Sequence, residues 1–236
     1  MGIQIQNYKT EDRINRLVQL LPDDEMFKEY SLPNFINWVN YKIDILNEEA
    51  RNNEGFKKAV RHGLRQSNKF YNEAVPLKHF LEKQKLFCSS ASISMAVWNA
   101  AYDALVVDEN NIKWHVEITK VDEDKQEHYR RVILNEAGCV GADTSIKKSA
   151  DGKLIESEQE CGIHEIKIRT LLGKIEKALN RKHNKTYPGN TILVLSAGYL
   201  ILKQTDEVVI KNLLSKYSDI KFSNIFFVSG NGSFVY

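Results

Sequence analysis

The chain has 236 residues, 42% of them hydrophobic, and a formal charge of +2. That length suffices for one large domain or a domain with a helical appendage. The near-neutral balance excludes binding to polyanions through bulk charge, so any nucleic-acid contact must come from a local patch. No apolar run approaches the roughly 20 residues of a membrane helix, so no membrane partner is expected. Met1-Gly2-Ile3-Gln4-Ile5-Gln6 lacks the basic and apolar regions of a signal peptide. Cys88, Cys139 and Cys161 are widely spaced and odd in number. They fit neither a zinc pattern nor a disulfide framework and read as reduced thiols of a cytoplasmic protein.

Residues 10 to about 72 read as helical. Ile14, Leu17, Val18 and Leu21 recur at helical spacing, and Pro22 ends that run. Pro33 opens a second helix and Asn53 is placed to cap a third. Phe35, Trp38 and Tyr41 read as core rather than as a platform for bases. Arg61, His62, Arg65 and Lys69 read as a solvated face. A further helix is expected over about 77–87, then strands over 92–98, 102–107 and 112–120. The turn Asp108-Glu109-Asn110-Asn111 joins the last two. A short helix follows over about 126–136, then an irregular insertion at about 138–162 rich in Gly, Ser, Lys and Glu.

Residues 163–185 form the clearest amphipathic helix. Ile168, Leu171, Leu172, Ile175 and Leu179 make its apolar stripe. Opposite them stand Lys167, Arg169, Lys174, Lys177, Arg181, Lys182 and Lys185. A strand over 191–197, a helix over 206–217 and a strand over 225–228 complete the chain. This order predicts an α/β fold with a mixed central sheet of about five strands flanked by helices. An all-helical segment (1–73) precedes the α/β core (74–236). The three consecutive strands form an antiparallel meander, and later strands add in parallel through right-handed crossovers. The basic helix then lies across one face.

Asp103 and Glu117 lie fourteen residues apart on the hairpin strands. Strand alternation sends His115, Glu117 and Thr119 one way and Trp114, Val116, Ile118 and Lys120 the other. Val116 and Ile118 pack beneath a helix, which leaves Glu117 and Asp103 facing a cleft. Paired carboxylates are hard oxygen ligands suited to Mg²⁺ or Mn²⁺. A cation held there could polarise a phosphodiester and activate a water. The basic face of the 163–185 helix could hold a polyanion alongside. His115 is read first as an ordinary sheet histidine.

This order of elements, with an acid entering the second strand and another on the third, resembles the PD-(D/E)XK nuclease superfamily over roughly residues 74–230. The resemblance implies a restriction-endonuclease-like core that hydrolyses phosphodiester bonds in DNA with Mg²⁺ or Mn²⁺. Asp103 and Glu117 match the family's two acids. An extra carboxylate from the first core helix is implied, with Glu82 the candidate and Glu73 a weaker one. Lys167, Lys174 and Arg181 are the DNA contacts expected from the basic helix. The family's lysine falls two residues after the second acid, where this chain has Thr119. Lys120 could replace it through a strand bulge, Lys113 from the hairpin's start, or Lys167 from the basic helix. With no such lysine the chain would be a catalytically silent relative that binds nucleic acid or a protein. A third reading is an assembly protein whose helical N-terminus makes a homo-oligomer.

Overall fold

Proline placement governs the helical half of the molecule. The computed structural model describes residues 11–61, 63, 66–121, 129–130, 132–135, 144–148, 154–159, 164–198, 202–217, 219–230 and 234–235. Helix α1 (Glu11–Leu20) stops two residues before Pro22, and α2 (Asp23–Met26) restarts just after it. Helix α3 (Leu32–Asn52) begins behind an extended Ser31 with Pro33 in its first turn, where a missing N–H does no harm. The Asn53 side chain accepts the Phe56 N–H at 3.0 Å and so caps α4 (Glu54–Arg61), as its position predicts.

Helix α5 (Gln66–Lys69) runs through a π-helical turn, Phe70–Ala74, into α6 (Val75–Lys83). The physical cause is Pro76. It has no N–H to give the Asn72 carbonyl, and its ring crowds that carbonyl, so the turn before it widens.

The main sheet has seven strands: β1 (Tyr30–Ser31), β2 (Ser92–Met95), β3 (Ala104–Val107), β4 (Lys113–Lys120), β7 (Thr191–Ala197), β8 (Asn224–Ser229) and β9 (Phe234–Val235), in that spatial order. β2, β3 and β4 form the predicted antiparallel meander, and β7 and β8 add in parallel. The two strands beyond the predicted five are two-residue edge strands too short to show a period. The insertion is less irregular than its composition suggests. β5 (Thr144–Lys148) and β6 (Leu154–Gln159) make a separate antiparallel pair within it. Residues 129–130 and 132–135 are helical, with Val132 and Ile133 buried against Ile146.

Helix α7 (His164–His183) covers one face of the sheet, as expected, and α8 (Gln204–Leu214) packs beside it. Ile168, Leu171, Ile175 and Leu179 meet Leu193 and Leu195 there. The opposite face carries Val106, Val116, Ile118, Ile192 and Val194. These pack in one core with Leu17, Leu21, Phe35, Phe56, Phe70 and Phe80. The helical N-terminus and the α/β segment therefore share a single interior. Phe35 and Trp38 belong to it, whereas Tyr41 is 61% exposed: it lies one position off the apolar stripe. Among the described residues no helix is long and apolar enough to cross a membrane.

Candidate active site

The hairpin turn is fixed by one side chain. Asp108 accepts the N–H groups of Asn110 and Ile112 at 2.9 Å and the Trp114 indole N–H at 3.0 Å. Asn111 takes a positive φ of 59°, a conformation that asparagine tolerates better than most residues. The turn thereby sets the β3–β4 register, in which Ala104 faces Val116.

Asp103 stands immediately before that pair, at the point where β3 begins. Its N–H donates to the Val116 carbonyl at 2.9 Å. Its carboxylate accepts the Ile118 N–H at 2.7 Å. The acid thus takes a ladder position beside the Glu117–Ile118 backbone, at the end of β3 rather than flat on a face. Glu117 pairs with Leu193 across β7 and shares that residue's side, under α7. Both acids are brought to the same stretch of β4.

The further carboxylate whose charge these acids feel is that of Glu73, not Glu82. Glu82 is engaged by Lys78 at 3.3 Å and His79 at 3.6 Å within its own helix. Glu73 lies on the π-helical turn, widened by Pro76, and interacts electrostatically with Asp103 and Glu117. Burial, reinforced by the Glu73 charge and then by that of Glu117, pushes the Asp103 carboxyl up to about 7, against the pull of the Ile118 N–H. Burial likewise raises Glu73, which Lys69 opposes. The three acids form one desolvated, mutually repelling group.

Two lysines neutralise this group, and neither was expected to. Lys182, in the last turn of α7, donates to Glu117; the two side chains are 8% and 13% exposed. Lys69 donates to Glu73 at 2.5 Å and is itself 5% exposed. The reading of Lys69 as part of a solvated face, and of Lys182 as part of the basic face of α7, is thus corrected. A lysine beside a buried carboxylate is held in by its partner, which the charge pattern of a helix does not reveal. For Lys182 a signal existed. It falls seven residues after Ile175 and three after Leu179, on the apolar stripe itself. For Lys69 and Glu73 the signal was Pro76.

The lysines named from sequence lie elsewhere. Lys120 points to the opposite side of β4 and donates to Asn72 at 3.0 Å, so no bulge returns it to Glu117. Lys113 is exposed at the start of β4, paired with Val107. Lys167 sits fifteen residues before Lys182 on α7, a displacement of about 22 Å along the axis. Lys167 and Lys174 are half-buried and Arg181 is exposed on α7. His62 and Arg65 lie outside the described residues, as do Cys139 and Cys161. Thr119 keeps to the Glu117 side and is buried, its hydroxyl without a partner among the described residues.

The segment between α7 and β7 closes the site. The Gly189 carbonyl lies 3.3 Å from His115 Nδ1. The Tyr102 ring packs on the His115 imidazole at 4.6 Å, so His115 acts as a packed sheet residue. Tyr187 leans on Phe222 at 4.6 Å. Its phenol is pushed up to about 12 by burial and then by Glu117.

Among the described residues no three His, Cys, Asp or Glu side chains converge closely enough to form a ready metal cage. The donor set itself suits a hard divalent cation, since it consists of carboxylate oxygens. In this arrangement the Lys69 and Lys182 ammonium groups supply the positive charge. No family model matches the chain, and no curated protein or solved structure matches it either.

Proposed function

We propose that the chain is a divalent-metal-dependent nuclease, or nuclease-like protein, that hydrolyses phosphodiester bonds in DNA. The observation that carries this reading is the meeting of Lys182 with Glu117 beside Asp103. It supplies, from a helix, the lysine that Thr119 denies to the strand. The restriction-endonuclease-like core belongs to the same proposal.

Asp103 and Glu117 would hold Mg²⁺ or Mn²⁺, with Glu73 as a third oxygen donor. Bound there, the cation would supply Lewis acidity toward a phosphate oxygen and a more acidic water. The chain's own residues do the remainder. Asp103 is oriented by the Ile118 N–H, which fixes one carboxylate oxygen and leaves the other to a ligand. Lys182 would offer its ammonium to the phosphate beside Glu117. Lys174, Arg181 and Lys167 on α7 would hold the DNA backbone.

A second reading is favoured by one observation: both glutamates already have lysine partners. In that state the fold would bind nucleic acid or a protein without cutting. Cleavage of plasmid and single-stranded DNA with Mg²⁺ or Mn²⁺, lost in Asp103→Ala and Glu117→Ala, supports the nuclease. Salt-dependent DNA binding with no cleavage under either metal supports the silent relative.

A further inference from the structure

Four buried side-chain atoms lack a hydrogen-bond partner among the described residues, and the Tyr187 hydroxyl is one of them. A buried hydroxyl left unpaired is costly, so an orphan of this kind needs an explanation. Its location supplies one. Tyr187 lies five residues beyond Lys182, whose ammonium is on Glu117. Two residues further on, the Gly189 carbonyl abuts His115, the neighbour of Glu117 on the same side of β4. The chain between α7 and β7 thus runs from Glu117 to His115 along one side of β4, and Tyr187, which lies on it, feels the Glu117 charge. The Phe222 ring and Thr191 hold the segment: Thr191 donates its hydroxyl to the Pro188 carbonyl at 2.6 Å.

We propose that the Tyr187 hydroxyl is a hydrogen-bond donor held for a non-bridging oxygen of the phosphate received at Asp103 and Glu117. This rests on the nuclease reading and names a residue that touches its substrate. A phenol is suited to the task. It is neutral, so it adds no charge to compete for the two glutamates, and it keeps its proton through neutral pH. Burial also removes water as a rival acceptor, which makes a single donor more effective. The nearby carboxylates are not its partners at rest. Glu117 is engaged by Lys182 and Asp103 by the Ile118 N–H.

The test compares wild-type protein with Tyr187→Phe, using thermal unfolding without ligand and steady-state cleavage of an oligonucleotide with Mn²⁺. Removal of an orphan hydroxyl should leave the melting temperature unchanged or raise it. It should lower kcat by roughly 100-fold, as loss of one preorganised donor does, with KM little altered. Equal cleavage by both proteins overturns the role of Tyr187 and leaves the nuclease reading standing. A melting temperature lower by several degrees also overturns it, because the hydroxyl then has a structural partner. Should the wild type bind the oligonucleotide without cutting, Tyr187→Phe must weaken binding, and equal binding overturns the proposal. A wild type that neither cuts nor binds removes the nuclease reading first and the role of Tyr187 with it.

Discussion

Lys182 places its ammonium on the Glu117 carboxylate from 65 residues away, tying the end of α7 to the middle of β4. The lysine is 8% exposed and the glutamate 13%, so the pair is shielded from solvent. Breaking such a pair from one side typically costs about 3–5 kcal/mol, while removing both charges costs less. Lys182→Met should therefore destabilise the protein by that order in urea. Lys182→Met combined with Glu117→Gln should be more stable than Lys182→Met alone. Additive losses in the double-mutant cycle would show that the two side chains are not coupled.

The Asp103 carboxyl, held at about 7 against an ordinary 3.8, ties stability to pH. Between those values the folded protein keeps a proton that the unfolded chain has released. Its contribution to stability is present in full below about 4 and is lost as pH rises through about 7. Urea midpoints should fall from pH 5 to pH 8, by a free energy on the order of a few kcal/mol. Asp103→Asn should flatten that slope, since an amide still accepts the Ile118 N–H but does not titrate. A midpoint that rises over this range in the wild type would contradict the assignment.

The same carboxyl predicts a signature of cation binding. A metal-held Asp103 must be ionised, so Mn²⁺ uptake near pH 6.5 should release protons. Calorimetric titration in two buffers of different ionisation enthalpy measures this. Asp103→Asn should abolish the release. Binding with no difference between the buffers would place the cation away from Asp103.

Thr119 is buried with an unpartnered hydroxyl. Thr119→Val should leave stability unchanged or slightly higher, as loss of an unpaired hydroxyl allows. Thr119→Lys should instead destabilise. It adds a charge to a buried position whose glutamate already has Lys182. Unfolding curves separate the two, and a stable Thr119→Lys variant would mean that the side chain finds a route to solvent.

DNA binding through α7 should depend on Arg181 and Lys174. Removing a side chain that neutralises one phosphate makes the slope of log K against log salt shallower by about 0.9 for duplex DNA. Arg181→Glu should weaken binding most at low salt. An unaltered slope in both Arg181→Glu and Lys174→Glu would move the DNA off this helix.

Much of the fold was legible because its signals are local. The period of α7, the meander with its Asp108 turn and the wholly buried β7 each follow from a short stretch of chain. The placing of Asp103 and Glu117 on neighbouring strands was legible for the same reason. Their partners were not, because each partner is set by a long-range contact. Lys182 looks like one more charge on a basic helix until the docking of α7 puts its stripe on β4. Lys69 and Glu73 seemed unremarkable on an all-helical segment. Glu82 pairs with Lys78 and His79 of its own helix, whereas Glu73 feels the charges of Asp103 and Glu117, and a spacing argument does not tell which side of a helix turns toward the hairpin.

The reach of Lys182 also has a consequence in time. The hairpin carrying Asp103 and Glu117 leaves the ribosome 65 residues ahead of Lys182. At roughly 5–20 residues per second, this is an interval of about 3–13 s. Until α7 arrives, Glu117 has no counter-charge and β4 lacks its parallel neighbour β7. Closure of the β4 edge and neutralisation of its acid are then one late event, and nascent chains stopped before residue 182 should remain open to proteolysis along β4.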